Sequence, residues 1–273
     1  CCFLANLGFL ASQLVAMGSM LTTITGWNTT TCFLVSTVIT VAYSAIGGLM
    51  AITYTTWLQF ILILLGTVVL GIPLSIHAVG GLEQLQTLPQ EWFDLGRSGW
   101  PTIIALGVSS IFSFFTSMDS YTRCFAAKNA KTSRNGALWA GFSILFIALG
   151  GTIIGMATRV LEPSLPAGSS AFAVMVSKYF PTGISGLVLV GVFAAIMSTA
   201  VVSINGCAAN ISIDIYKDRI DPAASDRTLK LLGMAGSIVA GIIGAAMAWW
   251  KYNVIQLLLL AFNAHWDFLK LRM

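Results

Sequence analysis

The sequence predicts an all-α polytopic membrane protein, and three observations lead there. Hydrophobic residues make up 57% of the chain and charged ones only 9%, where a soluble domain carries about 25% charged residues. Mean hydropathy is correspondingly high, at +0.86. Apolar stretches recur along the whole length, most of them near the roughly 20 residues a helix needs to cross a bilayer.

Seven spans follow in order, over 3–25, 30–46, 53–78, 101–127, 136–157, 184–216 and 229–250. The first three hold no Lys, Arg, Asp or Glu, as hydrocarbon demands. Gly47 and Gly48 separate the second from the third, because a glycine pair permits a tight turn. The fourth carries Asp119 and Arg123 near its end. The fifth and the last hold glycines, Gly151 and Gly155 in one and Gly233, Gly236, Gly241 and Gly244 in the other, the pattern of close helix crossings. Trp249, Trp250 and Tyr252 beside Lys251 read as an interfacial belt. An eighth apolar stretch, Val254 to Phe262, is too short to cross and runs into a polar tail. The chain opens without an initiating Met or a basic leader, and both ends read as truncated.

Charge gives the orientation. Eight of the 14 Lys and Arg residues fall in two loops: Arg123, Lys128, Lys131 and Arg134, then Lys217, Arg219, Arg227 and Lys230. The positive-inside rule places the 128–135 and 217–230 loops in the cytoplasm, the membrane being expected to be the plasma membrane. The connections 79–100 and 158–183 then face outward, and AFAVMVSKYF in the second is expected to form a short helix over the outer mouth. Scattered basic residues do not suggest nucleic-acid binding. The five cysteines show no metal spacing and read as small apolar fillers, and His77 and His265 are too few for a metal site. No HExxH, close pair of intramembrane acids or Ser/His arrangement points to an enzyme.

The sixth span is the most informative. Ser198, Thr199, Ser203 and Asn205 interrupt its apolar run. Ala195, Ser198 and Thr199 stand at i, i+3 and i+4 and share one helix face. That face offers oxygens without net charge, which suits a weakly held hard cation. Hydroxyls that merely bond back to their own helix are the plainer alternative. In the fourth span Ser110, Ser113, Phe114 and Ser117 fall at i, i+3, i+4 and i+7. Their face combines hydroxyls with an aromatic plate and suits a polar solute as well as a small-residue packing seam. Asp119 and Arg123, at i and i+4, read as an intrahelical pair, the alternative being that Asp119 binds a cationic substrate.

Three motifs carry a family resemblance. Gly47-Gly48-Leu49-Met50-Ala51-Ile52-Thr53-Tyr54-Thr55-Thr56-Trp57-Leu58-Gln59 is similar to GG-hydrophobic-x-A-V-x-W-T-D-x-x-Q. Arg123 to Asn129 resembles QR-x-x-A-A-K, and Ala194 to Thr199 continuing to Asp214-Ile215-Tyr216-Lys217 supplies the third. In this order they resemble the sodium/solute symporter family of sodium-coupled sugar, proline and pantothenate transporters. The likeness runs to about residue 262. Thr56 stands where the family has Asp, which bears on ion release and coupling.

The resemblance implies a fragment of a five-plus-five inverted-repeat, leucine-transporter-like fold, read as one transporter domain over 1–273. The spans would be core helices three to nine, with part of ten. It implies sodium as coupling ion, held by the Ala195 carbonyl and the Ser198 and Thr199 hydroxyls opposite the absent first core helix. It also implies a small organic solute on the Ser110, Ser113, Phe114 and Ser117 face, imported by alternating access. A membrane solute sensor on the same fold is the alternative.

Overall fold

The computed structural model describes the chain apart from residues 1, 95, 98, 117–119, 121–123, 167–168, 251–256 and 258–273. The side chains of residues 2, 46–55, 113, 115 and 116 also lie outside the description. Among the described residues every regular element is helical. In order they are α1 (Cys2–Thr25), α2 (Thr29–Leu64), α3 (Ile72–Val79), α4 (Leu82–Leu85), α5 (Trp100–Thr116), α6 (Ala130–Leu161), α7 (Ala171–Tyr179), α8 (Ile184–Ala209) and α9 (Asp226–Trp250). Two π-helical segments, Leu65–Gly71 and Asn210–Ile220, continue α2 into α3 and prolong α8.

Helix starts are written locally. Asn28 Oδ1 accepts from Thr30 N at 3.0 Å, and Asn129 Oδ1 from Thr132 N at 2.8 Å, each meeting an otherwise unpaired donor of a first turn. The end of α3 comes at Gly80, whose φ of 93° is left-handed and favours glycine. The π segment after α2 ends at a glycine for a different reason, crowding rather than a positive φ. A Cβ on Gly71 would lie 2.7 Å from the carbonyl oxygen of Gly66 and 2.8 Å from Ile154 Cδ1, so only glycine fits.

Among the described residues, five helices are long and apolar enough to cross a membrane: Phe3–Thr25, Thr56–Val79, Ala130–Leu161, Ile184–Ile220 and Asp226–Trp250. Thr29–Ala45 and Trp100–Phe112 are shorter apolar helices at the positions of the second and fourth expected spans. The stretch from Val254 lies outside the described residues except for Leu257, which is buried beside Leu10 and Phe33.

Helix α8 is the axis of the bundle. On one side α1 runs antiparallel to it, Leu7 near Cys207 and Leu10 and Leu14 near Ala200 and Ile204. On another, α9 closes in on its glycines. A Cβ on Gly236 would meet Ala208 Cα at 3.2 Å, and Gly241 and Gly244 lie against Val41 and Leu10. Gly233 has no such neighbour closer than 4.0 Å. The crossing expected at Gly151 and Gly155 is not there, since neither has a neighbour within 4 Å. Its place is one residue earlier, where Gly150 faces Thr67 at 3.0 Å. Gly150 alone points at the neighbouring segment, and the helical twist of about 100° per residue turns Gly151 away.

The packing shows that α2 folds back on itself. Ser44 meets Asn205, but Leu62 meets Gly191 and Gly66 meets Val188. Phe33 lies against Trp249 and Val41 against Gly241, so the first limb of α2 runs antiparallel to α9 and heads away from the start of α8. Continued straight it would carry Leu62 about 27 Å further that way, yet Leu62 lies back beside Gly191. The reversal lies between Ser44 and Leu62, the interval that holds Gly47 and Gly48, so two limbs of α2 flank α8. Helical backbone is assigned throughout this interval, and a glycine pair is a recognised cause of a sharp bend.

The same registers sort the loops. Thr67 beside Gly150 and Gly66 beside Val188 bring the starts of α6 and of the Asn210–Ile220 segment to one end of the bundle. Arg134 and Lys217 thus share an end, as the charge pattern requires. At the other end α7 buries Ala173, Val174, Met175 and Val176 against Leu85, Ile154 and Val188, the short helix expected in the 158–183 connection. Among the described cysteine side chains, Cys32 and Cys207 are buried fillers, whereas Cys124 is exposed at the end of the fourth segment; Cys1 and the Cys2 side chain lie outside the description.

Candidate functional site

Three oxygens converge on α8. Ser198 Oγ lies 2.8 Å and Thr199 Oγ1 3.4 Å from the same atom, the carbonyl oxygen of Ala195. Both hydroxyls donate to it. Ser203 Oγ donates to Thr199 O at 3.0 Å, carrying the polar line one turn further. Ser198 is half-buried and Thr199 exposed, so the carbonyl and its two hydroxyls open to one side of the helix. Hard cations prefer such neutral and anionic oxygens. The donor set fits sodium: each hydroxyl oxygen keeps its lone pairs free for a cation while its proton is donated to the Ala195 carbonyl. Three oxygens are about half a coordination shell, and the rest must come from groups facing this side of α8.

The face proposed for the solute lies elsewhere. Helix α5 leaves Ser110 exposed, its hydroxyl returned to Leu106 O at 2.8 Å, and Phe114 is 57% exposed. Trp100, Ile104, Ile111 and Phe112 of the same helix are exposed too. The Ser113 side chain and Ser117 lie outside the described residues, as does the Asp119–Arg123 pair. The structure brings together the three residues expected at the cation site, Ala195, Ser198 and Thr199, and does not bring Ser110 or Phe114 to them.

Sequence reasoning missed a polar junction further along α8. Ser44 Oγ donates to Asn205 Oδ1 at 3.1 Å, joining α2 to α8. The Asn205 Nδ2 atom is buried there without a partner among the described residues. Leaving a donor unpaired costs about 1–3 kcal/mol. On the next residue a Cβ would come within 2.5 Å of Asn6 Nδ2, so Gly206 lets α1 sit directly against α8. Asn205 broke the apolar run and was visible for that reason, but its partner, 161 positions away, was not.

At the α7 end of the bundle Lys178 Nζ lies 2.6 Å and Tyr179 OH 3.1 Å from Glu162 Oε1. These two hydrogen bonds hold the Glu162 carboxyl below the usual carboxylate range. The bond to Glu162 raises Lys178 in turn, and burial, then the Glu162 bond, raises Tyr179.

Comparison with known proteins adds the decisive observation: the pattern defining the sodium:solute symporter family matches residues 1–265. The chain belongs to the sodium:solute symporter family. Among curated relatives, sodium/myo-inositol cotransporter 2 of Mus musculus is 29% identical over 237 residues, covering 71% of this chain and 35% of its own length. The sodium/mannose cotransporter of Bos taurus is 25% identical over 267 residues, with 82% and 44% covered. Sodium/glucose cotransporter 2 of Rattus norvegicus is 26% identical over 275 residues, with 82% and 40% covered. This symporter-family chain thus spans well under half the length of these relatives. All three are transporters by name, and none is an enzyme.

A solved Na+-coupled sialic acid symporter in its substrate-bound outward-open state matches with a TM-score of 0.67 at 23% identity, covering 90% of this chain and 58% of that one. At that identity the match establishes the fold, the leucine-transporter-like arrangement expected of the family.

Proposed function

We propose that this symporter-family chain is part of a sodium-coupled secondary transporter that imports a small organic solute by alternating access. The observation that carries the reading is the convergence of Ser198 Oγ and Thr199 Oγ1 on the Ala195 carbonyl oxygen. Three neutral oxygens hold sodium weakly enough to let it go, as a transported ion requires. Sodium moving inward gains about 2.3 kcal/mol per 100 mV of membrane potential, in addition to its concentration gradient. Coupling the two movements spends that gain on raising the solute concentration inside.

For the solute we favour a hydroxyl-rich molecule such as a polyol or a sugar. Ser110, Ser113 and Ser117 would hydrogen-bond its hydroxyls while Phe114 covers an apolar ring face. The names of the relatives, myo-inositol, mannose and glucose cotransporters, support that class. The protein would lie in the plasma membrane with the 128–135 and 217–230 loops in the cytoplasm.

The test is sodium-gradient-driven uptake of a panel of labelled polyols, sugars, amino acids and carboxylates into proteoliposomes of the complete gene product. Accumulation that needs sodium, and that Ser198→Ala/Thr199→Ala abolishes at ordinary sodium, supports the reading. Solute binding without accumulation favours the sensor.

A further inference from the structure

We propose that Ser44 and Asn205 form a clamp that fixes how α8 presents Ser198 and Thr199, making Asn205 a positioning residue for the cation site. The inference rests on the symport reading for its consequence and on packing for its geometry. Asn205 stands seven residues after Ser198, two helical turns along the same face of α8. Over two turns a hydrogen-bonded helix transmits rotation about its axis, so whatever sets the azimuth at Asn205 also sets it at Ser198.

Two contacts set it, and both come from α2. Above the site, the Leu62 backbone and side chain press on Gly191, four residues before Ala195. Below it, the Ser44 hydroxyl bonds Asn205 Oδ1 at 3.1 Å. The limbs on either side of the α2 reversal therefore grip α8 at two levels that bracket residues 195–199. The upper grip is steric and apolar and would tolerate a twist of α8; the lower one is a directional hydrogen bond and would not. Asn6 against Gly206 closes the adjoining face, about 100° round the helix, at the same level. A leucine at position 205 would fill similar space and bury no unpaired amide nitrogen, so packing alone does not explain the asparagine. Its hydrogen bond to Ser44 does.

Ser44→Ala, Asn205→Leu, the double variant and Ser44→Thr test this in proteoliposomes of the complete gene product. Folding is followed by size-exclusion profile. A group that orients a metal ligand typically changes metal affinity by about tenfold or more. We expect Ser44→Ala and Asn205→Leu each to raise the half-saturating sodium concentration by about tenfold. The double variant should be no worse than the worse single one, since both remove the same bond. Maximal rate and solute half-saturation at saturating sodium should stay within about twofold, and Ser44→Thr, which keeps the hydroxyl, should match wild type. Unchanged sodium dependence in folded variants overturns the proposal, as do additive effects.

Cys207 supplies a readout independent of transport. It is fully buried two residues beyond Asn205, its Sγ 3.7 Å from Phe3 O. In a Cys124→Ser background, maleimide labelling of Cys207, located by peptide mass, should be faster in Ser44→Ala and Asn205→Leu than in Ser44→Thr. Equal labelling overturns the clamp. Wild-type uptake that ignores sodium would sink the symport reading instead, and the labelling would still decide whether Ser44 and Asn205 hold α8.

Discussion

Gly191 of α8 lies against Leu62: a methyl placed on it would sit 3.0 Å from Leu62 Cβ and 3.4 Å from the Leu62 carbonyl carbon. Gly186, on the same helix, has nothing within 4 Å. Alanine is worth about 1 kcal/mol over glycine in a helix interior, so an added side chain should help at the open position and harm at the crowded one. Gly186→Ala should raise the thermal unfolding temperature in detergent. Gly191→Val should lower it, by an overpacking cost of about 1–3 kcal/mol. Equal responses would mean that α2 does not seat there.

The paired hydroxyls on the Ala195 carbonyl predict a specific kinetic pattern. Ser198→Ala and Thr199→Ala should each raise the sodium concentration for half-maximal uptake by about tenfold, roughly 1.4 kcal/mol per oxygen. Maximal rate at saturating sodium should survive in each. Thr199→Ser, which retains the oxygen, should stay close to wild type. Sodium titration of uptake checks this, and a loss of maximal rate with unchanged sodium dependence would contradict it.

The docking of α7 should depend on pH. The Glu162 carboxyl is lowered by its bonds to Lys178 and Tyr179, from an ordinary value of 4.5. A lowered carboxylate stabilises the fold above its unfolded value, and that contribution disappears as pH falls through the folded one. Lys178 is raised from 10.5 and acts in the opposite sense, its contribution lost as pH climbs past the folded value. Hydrogen exchange of the 171–179 amides should therefore be slowest between these limits, once corrected for intrinsic rates. Glu162→Gln should remove the acid limb while leaving the apolar face of α7 docked.

On α5, Phe114→Ala and Ser110→Ala should each raise the half-saturating solute concentration roughly two- to tenfold, matching the loss of a neutral hydrogen bond or an aromatic contact of about 0.5–1.5 kcal/mol. Sodium half-saturation at saturating solute should not move. A shift in sodium dependence with solute binding intact would assign the α5 face to the ion instead.

What was legible in the sequence was whatever depends on solvent. Stretches free of charge marked the spans, and Arg134 and Lys217 marked one end because basic residues sort by leaflet. The Ala195, Ser198 and Thr199 cluster was legible as well, because one helix turn brings the three together without help from the rest of the fold. What depends on azimuth was not legible. Gly150 and not Gly151 faces Thr67, a difference of one residue that no repeat pattern resolves. Asn205 stood out as polar in an apolar run, but nothing local pointed to Ser44. The π turn ending at Gly71 was equally hidden, since it is defined by where Gly66 and Ile154 lie relative to that glycine. For the α5 face, pattern placed Ser110 and Phe114 on one side, yet a shared side does not say what that side meets.

Gly183 is where the α7 segment hands over to the axial helix. Its φ is 94°, and a Cβ there would touch nothing within 4 Å, so backbone conformation rather than crowding makes it glycine. Just upstream, Lys178 and Tyr179 are moored to Glu162, and Phe180 is buried in the core beneath α7. Just downstream begins the helix that carries Ser198 and Thr199. Its own first turns share that core through Val188 and Leu189. Gly183 is therefore a corner brace: it turns the chain sharply while both arms stay bolted to the same apolar block, so α8 cannot shift at this end without carrying α7 along.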